Sequence, residues 1–339
     1  MKNIEALVCV GPGILKLATI AAPTVPSGFA LVRPIRVGIC GTDYHIFEGK
    51  HPYLQYPRIM GHELAVEVVD APLGSGVNIG QVYAVNPYLS CGECVTCRAG
   101  KSNCCVKISV LGVHQDGGMA GLLALPVQNL IKAEGLSADE CAAVEFLAIG
   151  AHAVRRGGVR LGDRALIVGT GPIGLGAALF AKLSGAEVAI YDRDAERAKA
   201  TAALLGVSAI GPTEDVVGAF NTFTGGDGFS VVFDATGNTQ SMEKGFDFVG
   251  AGGRYVLVSV VKDSITFMDP DFHRKELTLF GSRNATSEDF ERVIAAIRAK
   301  QVPIDQIITH RTSLTNAIRD LPIWAQKKTG LIKAVIEIG

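Results

Sequence analysis

The sequence predicts an α/β protein with two domains, in which an irregular β-barrel is joined to a doubly wound parallel sheet. Two observations lead to this fold class. The chain has 339 residues, more than a single hydrophobic core usually serves, so two domains are expected. The hydrophobic pattern also changes near Arg164, from short strand-like runs to strands that alternate with helices.

The first part of the chain carries short β-rich runs that glycine and proline interrupt. These runs are Ile4–Val10, Ala30–Val37, Leu64–Val69, Val82–Val85 and Gly121–Pro126. Short strands at this spacing are typical of small all-β domains. We therefore expect an irregular, barrel-like β domain over residues 1 to about 145.

Strands and helices alternate after Arg164. The predicted strands are Ala165–Val168, Val188–Tyr191, Val231–Ala235 and Arg254–Val260, and the predicted helices are Ile173–Leu183 and Ala195–Leu205. This alternation predicts a parallel sheet with helices on its faces. A further helix, Ser287–Ala299, and a final strand, Ile332–Ile338, follow. Periodicity alone does not assign this tail to either domain.

Composition and charge exclude several classes of function. Hydrophobic residues make up 48% of the chain and charged residues 19%, which indicates a well-buried globular enzyme. The net charge of −1 and the lack of Lys/Arg runs argue against nucleic acid or an anionic membrane as a partner. The N-terminal residues lack the features of a signal peptide, and no apolar stretch reaches the roughly 20 residues of a membrane-spanning helix. We expect a cytoplasmic protein with reduced thiols and a small-molecule substrate.

A glycine-rich loop, Gly169-Thr-Gly171-Pro-Ile-Gly174, lies between a predicted strand and a predicted helix. Here Gly169 permits a tight turn, Gly171 lets the backbone approach a pyrophosphate, and Gly174 allows close helix packing. The helix N-terminus offers N–H groups and partial positive charge to the phosphates. The pattern predicts a dinucleotide site, with a structural glycine turn as the alternative.

An acidic residue follows the glycine-rich loop at the expected place. Asp192 ends the second predicted strand, about 20 residues after the loop, where a carboxylate accepts hydrogen bonds from the ribose hydroxyls. An acid there repels a 2′-phosphate, which favours NAD over NADP. Arg193 directly follows and partly offsets this preference. The alternative is an acid that merely faces solvent.

Five of the eight cysteines fall in one short segment, with the spacing Cys91-x2-Cys94-x2-Cys97 followed by Cys104 and Cys105. Paired C-x-x-C units favour capture of a metal such as zinc by thiolates. An iron–sulfur run would need its fourth cysteine after three residues, followed by proline. Four thiolates fill a tetrahedral site, so this zinc is expected to be structural, and one thiol is surplus. A disulfide framework is the alternative.

Catalysis at zinc requires an exchangeable position, which three protein ligands leave open. Candidate ligands are Cys40 in CGTDYHIFEG, His62 and Glu63 in MGHELA, and Glu145 in AAVEFLAIG. Each one alone favours a structural role, because buried cysteines are usually inert and a single histidine is usually a satisfied core group. The functional interpretation rests on their combination with a nicotinamide site.

Together these motifs resemble the zinc-containing medium-chain dehydrogenases over essentially the whole chain. The resemblance rests on CGTDYH (40–45), GHE (61–63), the cysteine segment and the glycine-rich loop with its acid. Glu145, followed by AIGAHAVRRG, is similar to the polyol (sorbitol) dehydrogenase branch, in which glutamate replaces a cysteine. NCCVKISVLGVHQDGG, FMDPDFHRKE and GSRNAT are most similar to bacterial sugar-acid dehydrogenases of the L-galactonate 5-dehydrogenase kind, relatives of which are labelled starvation-sensing proteins.

The resemblance implies a GroES-like barrel that holds zinc, formed by residues 1–145 and 286–339, and an NAD-binding Rossmann domain over residues 146–285. It implies two zinc ions per chain. The catalytic zinc ligands would be Cys40, His62 and Glu145, with Glu63 adjacent or exchanging and Asp43 orienting His62; the structural zinc ligands would be Cys91, Cys94, Cys97 and Cys105. The cofactor-binding residues would be Gly169, Gly171, Pro172, Ile173, Gly174, Asp192, Arg193, Arg197, Thr236, Gly237, Val258, Ser282 and Arg283.

The implied reaction is hydride transfer from a secondary alcohol of a polyol or sugar acid, such as L-galactonate or L-gulonate, to NAD. Thr42 and His45 would relay the alcohol proton to solvent. Hydroxyl-rich, anionic substrates need polar and basic partners. The expected substrate contacts are Phe47, His114, Arg283 and Asn284, within a polar set that also includes Gln115, Asp116, His273, Arg274 and Lys275.

The sequence departs from the family pattern at Val66, Gln81, Phe146 and Ser259, which leaves the substrate more open than the mechanism. The alternatives are a secondary-alcohol or threonine-type zinc dehydrogenase and a non-catalytic nucleotide-sensing protein on the same fold. We also expect a homodimer or homotetramer that pairs through the apolar Arg254–Val260 segment as an edge strand.

Overall fold

The chain divides into two compact units. The structure is a computed structural model that describes residues 3–51, 54–212, 215–327 and 330–338. One unit comprises Met1–Phe146 and Thr286–Gly339, and the other comprises Leu147–Ala285. The predicted boundaries differ from this division by one residue at most. Among the described residues, no helix has the length and apolar character needed to cross a membrane.

Strands predominate in the first unit, and strands alternate with helices in the second. The strands are β1 (Asn3–Gly11), β2 (Ile14–Ala21), β3 (Phe29–Ile39), β4 (Arg58–Ile59), β5 (Glu63–Asp70), β6 (Val82–Val85), β7 (Tyr88–Leu89), β8 (Ser109–Val110), β9 (Leu123–Pro126), β10 (Leu130–Lys132), β11 (Arg164–Val168), β12 (Glu187–Tyr191), β13 (Ser208–Ile210), β14 (Phe229–Asp234), β15 (Val249–Leu257), β16 (Thr278–Gly281), β17 (Ile308–Ser313) and β18 (Lys333–Glu337). The helices are α1 (Gly41–Phe47), α2 (Val95–Arg98), α3 (Ala138–Arg156), α4 (Pro172–Leu183), α5 (Ala195–Leu205), α6 (Val216–Thr224), α7 (Thr239–Phe248), α8 (Asp269–Arg274), α9 (Ser287–Arg298), α10 (Ile304–Ile307) and α11 (Ala317–Gln326).

The first unit is built on a curved, mostly antiparallel sheet with the order β10-β6-β5-β3-β18-β17, to which β9 adds by pairing with β3. A smaller sheet has the order β2-β1-β4. Strands β1, β3, β5 and β18 contribute to one core, where Leu7, Val32, Leu64 and Ile336 are almost fully buried. The C-terminal strand β18 pairs with β3, so the tail of the chain completes the barrel-like unit.

The second unit is a parallel sheet with the order β13-β12-β11-β14-β15-β16. Its central strands are nearly continuous apolar runs, as expected for strands that helices cover on both faces. Phe229, Val232 and Tyr255 are buried in its core. The predicted doubly wound parallel sheet is therefore confirmed by the strand order and direction.

The predicted strand Arg254–Val260 differs most from the observed one, both in its bounds and in its position within the sheet. β15 begins at Val249 rather than Arg254. Gly250 permits this earlier start, because a Cβ atom at that position would lie only 2.4 Å from the carbonyl oxygen of Asp227. β15 also lies between β14 and β16. The expectation that Arg254–Val260 forms an edge strand is therefore wrong, since β16 occupies the edge.

Candidate metal and cofactor sites

The cysteine segment folds into a small lobe that brings four thiols together. The sulfur atoms of these residues lie within 4.8 Å of one another: Cys91, Cys94, Cys97 and Cys105. The Cys91–Cys105 and Cys94–Cys97 sulfur separations are both 3.4 Å. Tetrahedral zinc with bonds of about 2.3 Å has sulfur–sulfur edges of about 3.8 Å. The four thiols thus fit a closed zinc site.

The fifth cysteine of the segment lies outside this group. Cys104 is exposed, whereas Cys105 is buried, and the Cys105 sulfur accepts hydrogen bonds from the backbone N–H groups of Cys91 and Lys107 at 3.3 Å. Such backbone donors stabilise a thiolate. All eight cysteines of the chain are free thiols in the structure, which does not support the disulfide alternative.

A second group of metal-binding side chains is assembled by α1 and β5. Cys40 is the N-cap of α1, and Glu63 begins β5, directly after His62. One donor atom from each of the three lies within 4.8 Å of the others. Gly61 has a φ of +95°, and a side chain there would collide with Val37, so the glycine lets the chain turn and present His62.

Asp43 joins the two segments that carry these side chains. Its fully buried carboxylate accepts hydrogen bonds from the backbone N–H of Cys40 at 2.8 Å and of Gly61 at 3.2 Å. Burial raises the pKa of Asp43. The Asp43 Oδ1 to His62 Nδ1 separation is 4.0 Å, too long for a hydrogen bond. Asp43 therefore fixes the backbone rather than the imidazole, contrary to the predicted orienting contact.

Two buried carboxylates, Glu63 within the group and Glu145 outside it, have different partners. Glu63 forms an ion pair with Lys333 of β18, and both side chains are at most 2% exposed. Glu145, on α3, accepts a hydrogen bond from the hydroxyl of Tyr88. It is not part of the 4.8 Å group, although its charge acts on His62. Burial raises the pKa of Glu145 to about 7.

The donors present fit an open zinc site. Thiolate, imidazole and carboxylate are the ligands found at catalytic zinc, and three of them leave one position free. The buried Nδ1 of His62 has no hydrogen-bond partner within the described part of the chain. Burial lowers the pKa of His62. The charges of Cys40 and Asp43 outweigh this effect and raise the pKa well above its ordinary value. The site thus carries negative potential that suits a cation.

Sequence reasoning did not identify Tyr88 or Lys333. The lysine in the apolar strand β18 could have indicated a buried ion pair, because a lysine is almost never fully buried without a partner. Tyr88 offered no comparable signal. Phe146, one of the departures from the family pattern, is fully buried, and the Lys333 ammonium lies 4.5 Å from the centre of its ring.

The glycine-rich loop has the geometry of a phosphate cradle. Gly169 adopts a φ of +89°, and a Cβ atom on Gly174 would lie 1.8 Å from the Gly169 carbonyl oxygen. Gly171 is the N-cap of α4, Pro172 and Ile173 form its first turn, and the space in front of Gly171 is open. The free N–H groups of this helix can therefore receive a pyrophosphate.

Asp192 lies beside this loop and is almost fully buried. It accepts hydrogen bonds from the backbone N–H and hydroxyl of Thr170 at 2.8 and 2.9 Å and from the Arg197 guanidinium at 2.8 Å. Burial raises the pKa of Asp192, but these donors outweigh burial and lower that pKa. Asp192 is therefore anionic at neutral pH. Arg193 is exposed next to it.

The sequence matches two models of known protein families. The sequence model of the zinc-binding dehydrogenases matches residues 172–299, and that of the alcohol dehydrogenase GroES-like domain matches residues 26–135. The chain is 41% identical over 342 aligned positions to the L-galactonate-5-dehydrogenase of Escherichia coli K12, and the match covers 99% of each protein. The chain belongs to the zinc-binding alcohol dehydrogenase family. The predicted family, the two-domain fold class with its GroES-like and Rossmann domains, and the dehydrogenase class are thereby confirmed.

Two solved structures of this family share the fold. The RspB alcohol dehydrogenase of E. coli CFT073, in complex with NADH, superposes with a TM-score of 0.92 at 26% identity, and 99% of each chain is covered. A protein of Sinorhizobium meliloti 1021 bound to NADP gives a TM-score of 0.88 at 25% identity, with 99% of this chain and 100% of that chain covered. Both nicotinamide cofactors thus occur among relatives of this fold.

The other cofactor-binding candidates lie at or near the carboxyl ends of the sheet strands in the second unit. The hydroxyl of Thr236 donates to Asp234 at 2.6 Å, and Gly237 follows with a φ of +62°. Val258 follows β15, and Ser282 follows β16. The buried hydroxyl of Ser282 lacks a hydrogen-bond partner in the portion of the chain that is described, as expected of a group that forms a hydrogen bond with a bound ligand.

Several predicted substrate residues have local structural roles. Asp116 pairs with Arg58 at 3.1 Å. Gln115 donates to Ser109, and His114 accepts from the Val110 N–H. In the second unit the Lys275 ammonium donates to the carbonyl of Val249, the first residue of β15, so it lies at the amino edge of the sheet. The glycine-rich loop lies at the carboxyl edge, so Lys275 and the adjacent His273 and Arg274 are far from it.

Proposed function

We propose that the chain is an NAD-dependent zinc dehydrogenase that oxidises a secondary alcohol of a sugar acid or polyol, with L-galactonate and L-gulonate as the first candidate substrates. The observation that carries the proposal is the convergence of Cys40, His62 and buried carboxylates. The family membership and the 41% identity to an L-galactonate-5-dehydrogenase support the substrate class.

We assign the catalytic zinc to Cys40, His62 and Glu145. Glu63 has its charge balanced by Lys333, whereas Glu145 has a neutral hydroxyl partner. One thiolate and one carboxylate then balance the charge of a divalent ion. Zinc in such a site supplies Lewis-acid chemistry, which lowers the pKa of an alcohol and stabilises negative charge on its oxygen. We assign the structural zinc to the four clustered cysteines.

We assign cofactor binding to residues 146–285 and zinc binding to residues 1–145 with 286–339. NAD supplies the hydride acceptor. The open helix N-terminus at Gly171 would receive its pyrophosphate, and the anionic Asp192 would accept the ribose hydroxyls. Arg197 already contacts Asp192, and Ser282 and Arg283 lie where a strand end meets the cofactor edge of the sheet.

The substrate class is tested by an NADH-production screen. With the zinc-loaded protein, kcat/KM for L-galactonate or L-gulonate is expected to exceed that for sorbitol, 2-butanol and threonine by about tenfold or more, since a site built for polar groups discriminates by at least ~1.4 kcal/mol. The same screen with NADP is expected to give lower rates. Turnover of 2-butanol or threonine above the sugar acids would instead support the plain-alcohol or threonine alternative.

We propose that the alcohol proton leaves through α1. The hydroxyl of Thr42 lies 3.8 Å from the Cys40 sulfur and is half-buried. His45, one turn further along the helix, is exposed, and the half-buried Phe47 ends the helix. Thr42 can thus pass a proton from the buried site towards the imidazole, which exchanges it with solvent.

His45→Ala is expected to lower kcat at pH 7 by about tenfold and to lower it less at pH 9 to 10, because hydroxide replaces the missing base at high pH. The kcat–pH profile of both proteins measures this. An equal loss at both ends of the pH range would contradict the relay.

We further propose a cytoplasmic homodimer or homotetramer. β16 forms the outer edge of the parallel sheet, and Leu279 on it is 39% exposed. Two copies of such a strand can pair about a two-fold axis, which also covers their free backbone groups.

A further inference from the structure

Tyr88 connects the cysteine lobe with the candidate catalytic zinc site. Its side chain is buried, with 7% of its surface exposed. Its hydroxyl donates to Oε1 of Glu145, which is 57 residues away in the sequence. A carboxylate has two oxygen atoms, so this contact leaves Oε2 available to a metal ion. The tyrosine therefore restrains Glu145 without using up its capacity as a ligand.

The chemistry of the two carboxylates explains why a hydroxyl is suited to this position. Lys333 balances the charge of Glu63, which weakens that carboxylate as a partner for a cation. A tyrosine hydroxyl orients Glu145 by a hydrogen bond and leaves its negative charge intact. Orienting partners of this kind fix the geometry of metal ligands and raise metal affinity.

Contacts on several sides fix the position of Tyr88. Its backbone N–H donates to the side chain of Asn86 at 3.0 Å, and its carbonyl accepts from Asn129 at 3.4 Å. Its ring packs edge-to-face on Phe290, with the ring centres 6.4 Å apart. The hydroxyl therefore has little freedom to leave the Glu145 carboxylate.

The cysteine lobe adds the remaining restraint. Tyr88 lies on β7, and β7 pairs with β8 in the register Tyr88↔Val110 and Leu89↔Ser109. Cys91 follows β7 closely, and Cys105 precedes β8. This ladder is thus the base of the lobe, and a metal ion that closes the four-cysteine group holds the two strands together.

We propose that Tyr88 is a positioning residue that holds the Glu145 carboxylate for the catalytic zinc ion, and that the metallated cysteine lobe anchors this tyrosine. The inference rests on the zinc site proposed above. It makes the two metal sites energetically dependent on each other through one side chain, although their ligands come from different segments of the chain.

Zinc retention at graded free zinc concentrations tests the role of Tyr88. Elemental analysis of the native chain in chelator buffers is expected to show two release steps, and the step that is absent from His62→Ala belongs to the catalytic site. In Tyr88→Phe, which keeps the ring on Phe290, this step is expected to move to about 10- to 100-fold higher free zinc. The lobe step is expected to stay near its native value.

Tyr83→Phe is the matched control. Tyr83 is also buried in the same unit, and its hydroxyl accepts a hydrogen bond from the backbone N–H of Asn78 at 3.0 Å. Both release steps are expected to be native in this variant. If Tyr88→Phe also leaves the catalytic step unmoved, the inference is overturned while the zinc site stands. If His62→Ala removes neither step, the zinc site itself is wrong.

A thermodynamic cycle tests the anchoring by the lobe. Cys97→Ser, which removes one lobe thiolate, is expected to weaken zinc at the catalytic site about tenfold in the native background and to add little in the Tyr88→Phe background. Equal effects in both backgrounds would overturn the anchoring role. If the Cys97→Ser chain does not fold, Ser109→Pro takes its place, because it breaks the β7–β8 pairing without removing a thiol.

Discussion

His62→Ala is expected to lose one of two zinc ions per chain and to lower kcat by about three orders of magnitude. The imidazole is one of three donors grouped within 4.8 Å, and it is 5% exposed, so water does not readily replace it as a ligand. Lewis-acid stabilisation of an alkoxide contributes several kcal/mol, and about 4 kcal/mol corresponds to a thousandfold in rate.

His310→Ala serves as the control for this variant. His310 belongs to the same unit and packs edge-to-face on Trp324 at 5.6 Å. It is expected to retain two zinc ions and native turnover. Elemental analysis and steady-state kinetics measure both properties. A His62→Ala chain that keeps two zinc ions and native kcat would contradict the assignment and would favour the non-catalytic, nucleotide-sensing alternative.

The parts of the fold that the sequence predicts well are those with local patterns. The strands of the parallel sheet are short apolar runs between glycines and helices, so their bounds follow closely from composition. The glycine-rich loop and the cysteine segment are likewise contiguous, and their spacing carries the chemistry. Of the five clustered thiols, spacing alone could not select the surplus one; burial separates Cys105 from Cys104.

Other elements lack such a pattern. α3 is buried on all sides over residues 141–148, so it has no polar face in that stretch and no clear helical periodicity. β15 begins within a glycine-rich segment that propensity assigns to a loop. In both cases tertiary packing decides the structure, and the sequence of the segment alone does not contain that information.

The partners of the zinc-site carboxylates depend on the most distant contacts. Glu63 and Lys333 are 270 residues apart in the sequence, and Tyr88 and Glu145 are 57 apart. Metal ligands are restricted to a few residue types and are easily proposed from sequence. Their partners can be any donor that the fold brings near, so a three-dimensional structure is needed to find them.

Lys333→Met is expected to destabilise the protein by about 3–5 kcal/mol, the usual cost of leaving one charge of a buried ion pair without its partner. Glu63 is fully buried. Its side chain crosses β3 at Gly38 to reach Lys333 on β18, and the glycine leaves the necessary room, because a Cβ atom there would lie 2.1 Å from Oε2 of Glu63. Gly38 itself carries no side chain that could replace the ammonium. Thermal and urea denaturation of the zinc-loaded protein measure the loss.

Lys300→Met is the control, because Lys300 is 76% exposed and pairs with Glu140 at the surface; such a pair contributes about 1 kcal/mol or less. The double variant Glu63→Gln/Lys333→Met removes both charges and is expected to be more stable than Lys333→Met alone. A double variant less stable than both single variants would show that the pair contributes by other means than charge compensation.

The same substitution distinguishes between the two carboxylates as zinc ligands. If Glu63 ligated zinc, the ion would partly compensate its charge in Lys333→Met, and the loss of stability would grow in the His62→Ala background, which lacks that ion. Because Glu145 is assigned as the ligand and Glu63 as the partner of Lys333, the loss is expected to differ between the two backgrounds by no more than about 1 kcal/mol, a modest coupling for side chains this close together. A clearly larger loss in the His62→Ala background would transfer the ligand role to Glu63.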